Sequence, residues 1–561
     1  MSDPAEDAPA RAVAAALAAA EPAEPRPLAG LLERLVATGR IQGARRDDRP
    51  IGTAGLADIA VQGVTDDSRR VGPGTLFVAV PGFHVDGHDY LAVASERGAA
   101  AAIVERPVPG VPLPQLVVER SASALAAAAA WWYGDPSRAL GTIGITGTDG
   151  KTTTAFLAVA ALEAAGLATG LIGTVETRIG DIRDRHEAHV TTPGAPELQA
   201  TLAAMRAAGD VAAVVETTSH ALALDRVGDV AYDAAVFTNL SHEHLELHGS
   251  FAAYRAAKLR LFEALAAGPA NLAKAVSGRP WPKVAVINRD DASAPWFEAA
   301  AHASGARVLT YGADVSADLR LTEIAEDAHR LRVAWDGPGG GGTLDLRLAG
   351  RFNAHNALAV LGLVEGLGLD RAAAVAGMES LDGVPGRMER IDLGQPFGVI
   401  VDYAHSPASL ETVLGLLAPV AAARGGGLIA VFGSAGERDT AKRAVMGRIA
   451  GERCRVVVVT DEDPRGEEGD AINAEIARGA ESAGRRRDRD LFIIADRRLA
   501  IAEAFSRARP GDMVLLAGKG HERSILYADR ALPWDEGAAA RDALADLGFG
   551  PSASGRPGGR C

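Results

Sequence analysis

The sequence predicts a multidomain α/β protein built on parallel sheets, and three observations carry that prediction. The chain has 561 residues, enough for three or four domains of ordinary size. Short apolar runs rich in β-branched residues alternate with amphipathic segments, the pattern of strands covered by helices on both faces. Residues 140–156, LGTIGITGTDGKTTTAF, read as strand, glycine-rich turn and helix start.

Gly144, Gly147 and Gly150 in that stretch let backbone N–H groups approach phosphate oxygens, and the helix N-terminus adds a favourable dipole. Lys151 can reach terminal phosphates, and the hydroxyl of Thr152 can ligate Mg²⁺. The general P-loop pattern puts four residues between its first glycine and the Gly-Lys pair. Here Ile145 stands where that glycine belongs, so the stretch reads as a variant nucleotide triphosphate site.

Composition narrows the partners. With 48% hydrophobic and 23% charged residues and a net charge of −14, the chain matches a globular protein that does not bind nucleic acid or anionic membrane wholesale. No apolar run reaches the roughly 18 residues of a membrane span. The start is acidic and Ala/Pro-rich, without the basic-then-apolar order of a signal peptide. Cys454 and Cys561 alone build neither a disulfide framework nor a thiolate metal site. A cytoplasmic setting is the resulting expectation, with a monomer as the default.

In order, residues 1–26 read as a disordered tail of low complexity. A first domain, 27–138, opens with a helix at 28–37. It places strands at 76–80 and 101–104 around a helix at 90–97, and closes with a helix at 121–133. A second domain, 139–384, carries strands at 211–215, 234–238 and 283–288. Segments 319–335 and 343–348 flank Gly337-Pro338-Gly339-Gly340-Gly341-Gly342 and read as an antiparallel ribbon. A third domain, 385–548, has strands at 399–401, 428–432, 455–460, 491–494 and 513–516. Residues 549–561 read as a second tail.

Polar residues gather where these strands end, the usual place for ligand sites in doubly wound sheets. Glu216-Thr217-Thr218-Ser219-His220 follows one strand, and Asn239 to Gly249, with His242, His244 and His248, follows the next. A glutamate and a histidine at neighbouring strand ends suit Mg²⁺ with phosphate oxygens. Zinc and a solvated loop stay open as readings of the histidines, whose spacing matches no familiar zinc pattern. Lys258, in an amphipathic helix, reads on spacing alone as a surface lysine. Arg387 and Asp402 lie at a domain junction and a strand end, where they suit phosphate and ribose contacts. Asp461-Glu462-Asp463-Pro464-Arg465 and Gly518-Lys519-Gly520-His521-Glu522 are polar turns at strand ends of one sheet, a second candidate pocket.

Taken together, DSRRVGPGTLFVAVPG, DGHDY, GITGTDGKTTT, TTPGAPELQ, ETTSHALALDRV, FTNLSHEHLELHGSFAAYRAAKLRLF, GRFNAHNALAV, GVPGRMERI, VDYAHSPASLE, FGSAGERDTAKR, TDEDPRGEE and AGKGHE resemble the Mur ligase family. The resemblance covers residues 28–547 in order and is to the branch acting on UDP-N-acetylmuramoyl-L-alanyl-D-glutamate. The spacing of five residues between Gly144 and Gly150 is the family's own. It implies three parts: a small N-terminal α/β UDP-binding domain, a central P-loop ATPase-type parallel sheet, and a C-terminal Rossmann-like domain binding the acceptor amino acid.

The implied reaction is ATP-dependent amide ligation through an acyl phosphate. Its substrates are UDP-MurNAc-L-Ala-D-Glu and a free diamino acid, and ATP and two Mg²⁺ are the expected cofactors. The resemblance assigns Thr146, Gly147, Thr148, Asp149, Gly150, Lys151, Thr152, Thr153, Asn356, Arg387 and Asp402 to ATP. It assigns Thr152 and Glu216 to one Mg²⁺, His244 to a second, and makes Lys258 a lysine carbamate derived from CO₂. Ser68, Thr191, Thr192, Ser219 and Arg226 align with contacts to the UDP-sugar peptide. Leu224 departs from a frequent glutamine, and Phe83-His84 from a His-Gln pair. Arg438, Glu462, Asp463, Pro464, Arg465, Gly518 and Glu522 align with the acceptor site. Relatives that add meso-diaminopimelate read DNPR where this chain reads EDPR. Arg465 favours diaminopimelate, whereas the added acid at Asp463, with Glu462 and Glu522, suits the terminal ammonium of lysine or ornithine and would leave Arg465 as an acid-pairing scaffold. A related ligase acting on another carboxylate is the rival reading.

Overall fold

The computed structural model describes residues 8–47, 49–82, 85–185, 190–241, 248–266, 274–276, 278–326 and 330–550. Three sheets organise it, and in each the apolar β-branched runs form buried strands that helices cover.

The first sheet has six strands, in the order Arg49–Ile51, Ile41–Arg46, Gln115–Val118, Ala101–Val104, Thr75–Val78 and Gly63–Thr65. Its last four strands run parallel. Leu31, Leu32 and Leu35 of the Ala29–Ala37 helix, together with the alanine-rich face of Ser121–Trp132, close its core.

The central sheet has eleven strands. Gly141–Thr146 lies in its interior between Ala212–Glu216 and Ala234–Phe237, both parallel to it. Both neighbours follow it in the chain but lie on opposite sides, so the strand order reverses here. This is the switch point at which a crevice opens beyond the carboxyl ends of the strands. Beyond Arg307–Gly312 the chain continues as Leu319–Glu326, Leu331–Asp336 and Gly342–Leu346. The segment expected to be one arm of a two-arm ribbon is therefore itself a hairpin, and the ribbon is a three-stranded meander. The alternation of apolar residues in Leu331–Asp336, buried at every second position, is what a sheet with one covered face requires.

The third sheet pairs Gly398–Asp402, Met513–Ala517, Leu428–Phe432, Val456–Val459 and Leu491–Ile493 in parallel, with Glu389–Ile391 antiparallel at its edge. Beneath it Arg497 makes a two-pronged contact with Glu536, at 2.7 and 2.8 Å, and donates to the carbonyl of Ala517 at 2.7 Å. Both charged side chains are fully buried, so removing one strands the other without water. Arg497→Ala is expected to cost about 3–5 kcal/mol of stability. The measurement is urea unfolding of the wild type and variant; a loss below about 1 kcal/mol would contradict this account.

A second expectation fails at the N-terminus. Residues 8–20, assigned to a disordered tail, form the helix Ala8–Ala20, whose Val13, Ala16, Leu17 and Ala20 pack against the core of the central domain. Alanine is the strongest helix former, and the apolar spacing i, i+3, i+4, i+7 gives that helix a face to bury. The second tail also begins later than expected: Phe549 packs against the third-domain core and Phe397, and Gly550 N donates to the Leu393 carbonyl at 3.0 Å, while 551–561 lie outside the described residues. Among the described residues no helix is long and apolar enough to cross a membrane.

Candidate functional site

The loop after Gly141–Thr146 is held by side chains from the next strand end. Thr238 Oγ1 donates to the carbonyl of Asp149 at 2.6 Å, and Asn239 Oδ1 accepts from Asp149 N at 3.0 Å. Thr148 N donates to the Asn239 carbonyl at 2.8 Å. Gly150, at φ 82°, caps the Lys151–Ala164 helix. A Cβ there would come within 2.5 Å of Asn356 Oδ1, so glycine is required both by the backbone and by the close approach of Asn356. Thr154 Oγ1 donates to the same Asn356 oxygen at 3.3 Å.

Two lysines meet on this loop. Lys151 Nζ donates to the carbonyls of Gly147 and Thr148, at 2.9 and 2.7 Å. Lys258, in the Phe251–Glu263 helix, is 1% exposed and donates to the same Gly147 carbonyl at 2.7 Å. The surface reading of Lys258 is thus wrong. Its ammonium also lies 4.6 Å from the centre of the Tyr254 ring, and Tyr254 in turn reaches Thr148 Oγ1 at 3.2 Å. Thr146 and Thr153 are buried within the strand and helix, and Asp149 is exposed.

Glu216, fully buried at the end of Ala212–Glu216, is the hub of a hydroxyl network. Its Oε2 accepts from Thr152 Oγ1 and from Thr174 Oγ1, each at 2.9 Å, and its Oε1 accepts from Thr174 N at 2.9 Å. Thr174 Oγ1 also lies 3.1 Å from Thr191 Oγ1. Thr192 Oγ1 donates to the Glu216 carbonyl at 2.7 Å. Thr174 escaped the sequence reading, although it stands just beyond the strand Thr169–Ile172 and the strand-end rule would have flagged it. A carboxylate and a hydroxyl on one small patch are the hard oxygen donors that Mg²⁺ takes, leaving its other positions for water and phosphate. His244, the expected second metal residue, lies outside the described residues, as do His242 and the Phe83-His84 pair.

Thr191, Leu224 and Arg226 line a cavity of about 730 Å³ between the first and central domains, with Asp66 from the first domain. Arg226 donates to the Thr192 carbonyl at 3.0 Å. Burial lowers the Arg226 guanidinium below its ordinary value, with Asp66 opposing, and burial raises the Asp66 carboxyl. Ser219 begins the Ser219–Ala223 helix, whose cap Thr218 lies 3.2 Å from Thr192 Oγ1. Ser68 opens a short 3₁₀ turn two residues beyond Asp66.

In the third domain, Arg387 lies over the Tyr403 ring, 4.8 Å from its centre. Asp402 accepts from Met388 N and Ala404 N at 2.8 and 2.9 Å, and burial raises its carboxyl against the pull of Arg387. The acceptor candidates converge on a residue that the sequence reading quoted but did not assign. Lys519, fully buried, donates to Asp463 Oδ1 at 2.8 Å and to Glu522 Oε2 at 2.5 Å. Tyr403 Oη donates to Glu522 Oε1 at 3.3 Å, joining this cluster to Arg387. Glu462 Oε2 sits against Gly518, without a hydrogen-bond partner among the described residues, and burial raises its carboxyl. Pro464 is buried beside it. Arg465 is half-buried, in the left-handed region at φ 56°, with its N–H on the Leu526 carbonyl at 2.9 Å. Arg438 is exposed on a loop tied back by Gly436 N to the Asp463 carbonyl at 2.8 Å.

Three family models match the chain. They are the Mur ligase family catalytic domain over residues 60–133, the Mur ligase middle domain over 145–364 and the Mur ligase glutamate ligase domain over 386–520. The chain is 49% identical over 496 residues to the UDP-N-acetylmuramyl-tripeptide synthetase of Roseiflexus sp. (strain RS-1), covering 87% of this chain and 96% of that protein. It is 43% identical to a protein of the same name from Deinococcus radiodurans, again over 87% of this chain and 96% of the relative. Among solved structures, a UDP-N-acetylmuramoyl-L-alanyl-D-glutamate--2,6-diaminopimelate ligase superposes with a TM-score of 0.61 at 29% identity, covering 90% of this chain and 98% of that one.

Proposed function

The chain belongs to the Mur ligase family, and on that premise we propose that it adds a diamino acid, meso-diaminopimelate, to UDP-N-acetylmuramoyl-L-alanyl-D-glutamate. It is an ATP-dependent ligase that joins an amino acid to a UDP-MurNAc-peptide. The finer reading places the reaction in the cytoplasm, in peptidoglycan precursor synthesis.

The observation that carries the mechanism is the chain of contacts from Thr152 through Glu216 and Thr174 to Thr191. It joins the phosphate loop to the wall of the sugar-peptide cavity through hydrogen bonds alone. In the proposed reading, a D-glutamate carboxylate held by that wall would face the end of a nucleotide held by the loop. An oxygen of the carboxylate attacks the γ-phosphorus, the bond to the β-phosphate oxygen breaks, and ADP leaves. The amine of the acceptor then attacks the acyl carbon, loses a proton, and the tetrahedral intermediate expels phosphate. Both partners of the first step are anions, so catalysis is chiefly neutralisation and alignment. Lys151 supplies a cation at the transferred phosphoryl group. Mg²⁺ held by Thr152 and Glu216 would supply further positive charge. Lys258, as a carbamate, supplies an anion that orients the cationic side of the site, and its remaining N–H can keep the bond to Gly147.

The charge arrangement around Lys519 supports diaminopimelate over lysine or ornithine. Asp463 and Glu522, two of the three acids that suit a terminal ammonium, already share the buried ammonium of Lys519, and burial raises the carboxyl of the third, Glu462, which disfavours its charged form. Arg465 is left to grip a distal carboxylate, a directional and strong contact. The test is phosphate release with meso-diaminopimelate, lysine and ornithine side by side, each with UDP-MurNAc-L-Ala-D-Glu, ATP and Mg²⁺. Diaminopimelate is expected to be the best acceptor, and Arg465→Ala to raise its KM about a hundredfold. Preference for lysine with Arg465→Ala silent would overturn the acceptor assignment. No turnover with any of the three would overturn the ligase reading itself.

A further inference from the structure

The helix Ala8–Ala20 precedes the first domain in sequence yet lies on the second. Along its length it packs against the helix Ala195–Ala208 and the strand Ile182–Asp184 of the central domain. At its end the chain is fastened to the first domain. Glu21 Oε1 accepts from Trp132 Nε1 at 3.3 Å, and Arg26 donates to the Trp131 carbonyl at 2.8 Å. It thus straps the two domains together beside the cavity that lies between them.

Val13 and Leu17 of this helix touch the central core but remain only half-buried. The surface they keep faces the cavity of about 730 Å³ whose other walls carry Thr191, Leu224 and Arg226. The cavity thus has a polar side from the central domain, where Thr191 and Arg226 stand among the carboxylates Asp184, Glu197 and Asp225, and an apolar side from the N-terminal helix. The substrate proposed above is built the same way. Its phosphates and glutamate carboxylates are anionic, and its lactoyl and alanyl methyls are apolar.

We infer that the helix Ala8–Ala20 is a wall of the UDP-sugar-peptide site, with Val13 and Leu17 as specificity-determining residues that contact the lactoyl-alanyl segment. The inference rests on the substrate reading given above. Apolar contacts made equally in ground and transition states lower KM without changing kcat. Removing both side chains beyond Cβ forfeits several methyl-sized contacts.

The experiment uses the full-length chain. V13A/L17A is expected to raise KM for UDP-MurNAc-L-Ala-D-Glu about tenfold, with kcat and the KM for ATP within about twofold of wild type. Leu17→Met, which keeps the apolar volume, is expected to behave as wild type. A15S/A18S, on the exposed face of the same helix, is also expected to leave every constant unchanged. An unchanged KM in V13A/L17A overturns the inference. So does a parallel rise in all three substrate KM values with a fallen Tm, which would make the helix a packing element only. Wild type that fails to turn over the UDP-sugar dipeptide at all overturns the substrate reading instead, so the two failures are distinguishable.

Discussion

Lys151→Ala is expected to lower kcat at least about a thousandfold while the KM for the UDP-sugar peptide stays nearly unchanged. The side chain sits on the phosphate loop, with its ammonium on the carbonyls of Gly147 and Thr148. Among the described residues, Lys151 is not one that lines the cavity with Thr191 and Arg226. Its loss therefore removes charge stabilisation that grows as the phosphoryl group moves, not binding of the sugar peptide. Phosphate release at saturating substrates measures kcat, and initial rates across UDP-substrate concentration measure KM. A variant keeping more than about a tenth of wild-type kcat would remove Lys151 from the phosphoryl-transfer step.

Lys258→Ala is expected to fall below about one hundredth of wild-type activity and to recover in part with added acetate or formate. A lysine that is 1% exposed, on a helix that otherwise packs Leu261 and Phe262 into the core, is held in place for a reason that packing does not supply. The proposed carbamate on Nζ would reverse its charge beside the phosphate loop, and a small carboxylate could occupy the space that alanine leaves. A misfolded variant would not respond to acetate, so rescue separates lost chemistry from lost structure. With ¹³C-labelled bicarbonate the wild type should show a carbamate carbon resonance that Lys258→Ala lacks. Full activity in Lys258→Ala, or inactivity that no carboxylate relieves together with no such resonance, would reject the modification.

Much of the framework was legible in the sequence. The strands Ala101–Val104 and Leu428–Phe432 fall where the apolar β-branched runs put them, because a strand buried on both faces needs little else to be recognised. The glycine spacing at Gly147 and Gly150 marked the loop for the same reason, since only a few backbone conformations bring so many N–H groups to one point. What escaped were relations across the chain. Thr174 becomes part of the site because Ile172 pairs with Val215, which carries the next residues of each strand to the same edge. Periodicity does not reveal which strands will be neighbours. Lys519 was visible as a residue of a polar turn, but nothing local says that its ammonium turns inward to Asp463. The helix Ala8–Ala20 was misread because its composition resembles that of unfolded tails, and the surface that stabilises it belongs to a helix almost two hundred residues later.

One carbonyl sets how the loop meets its ligand. The oxygen of Gly147 receives Lys151, which also reaches the carbonyl of Thr148, so the ammonium on the loop is already satisfied by the protein's own backbone. Recognition of a nucleotide is then a swap of acceptors rather than the making of new bonds from solvent. A phosphate oxygen must displace an oriented peptide dipole, and a multiply charged chain of phosphates does so far more effectively than a lone monoanion. With the loop as the proposed ATP site, it is therefore expected to discriminate by charge density before any base or ribose is read. It also keeps its lysine aligned between turnovers, so little ordering is left to do when the next triphosphate arrives.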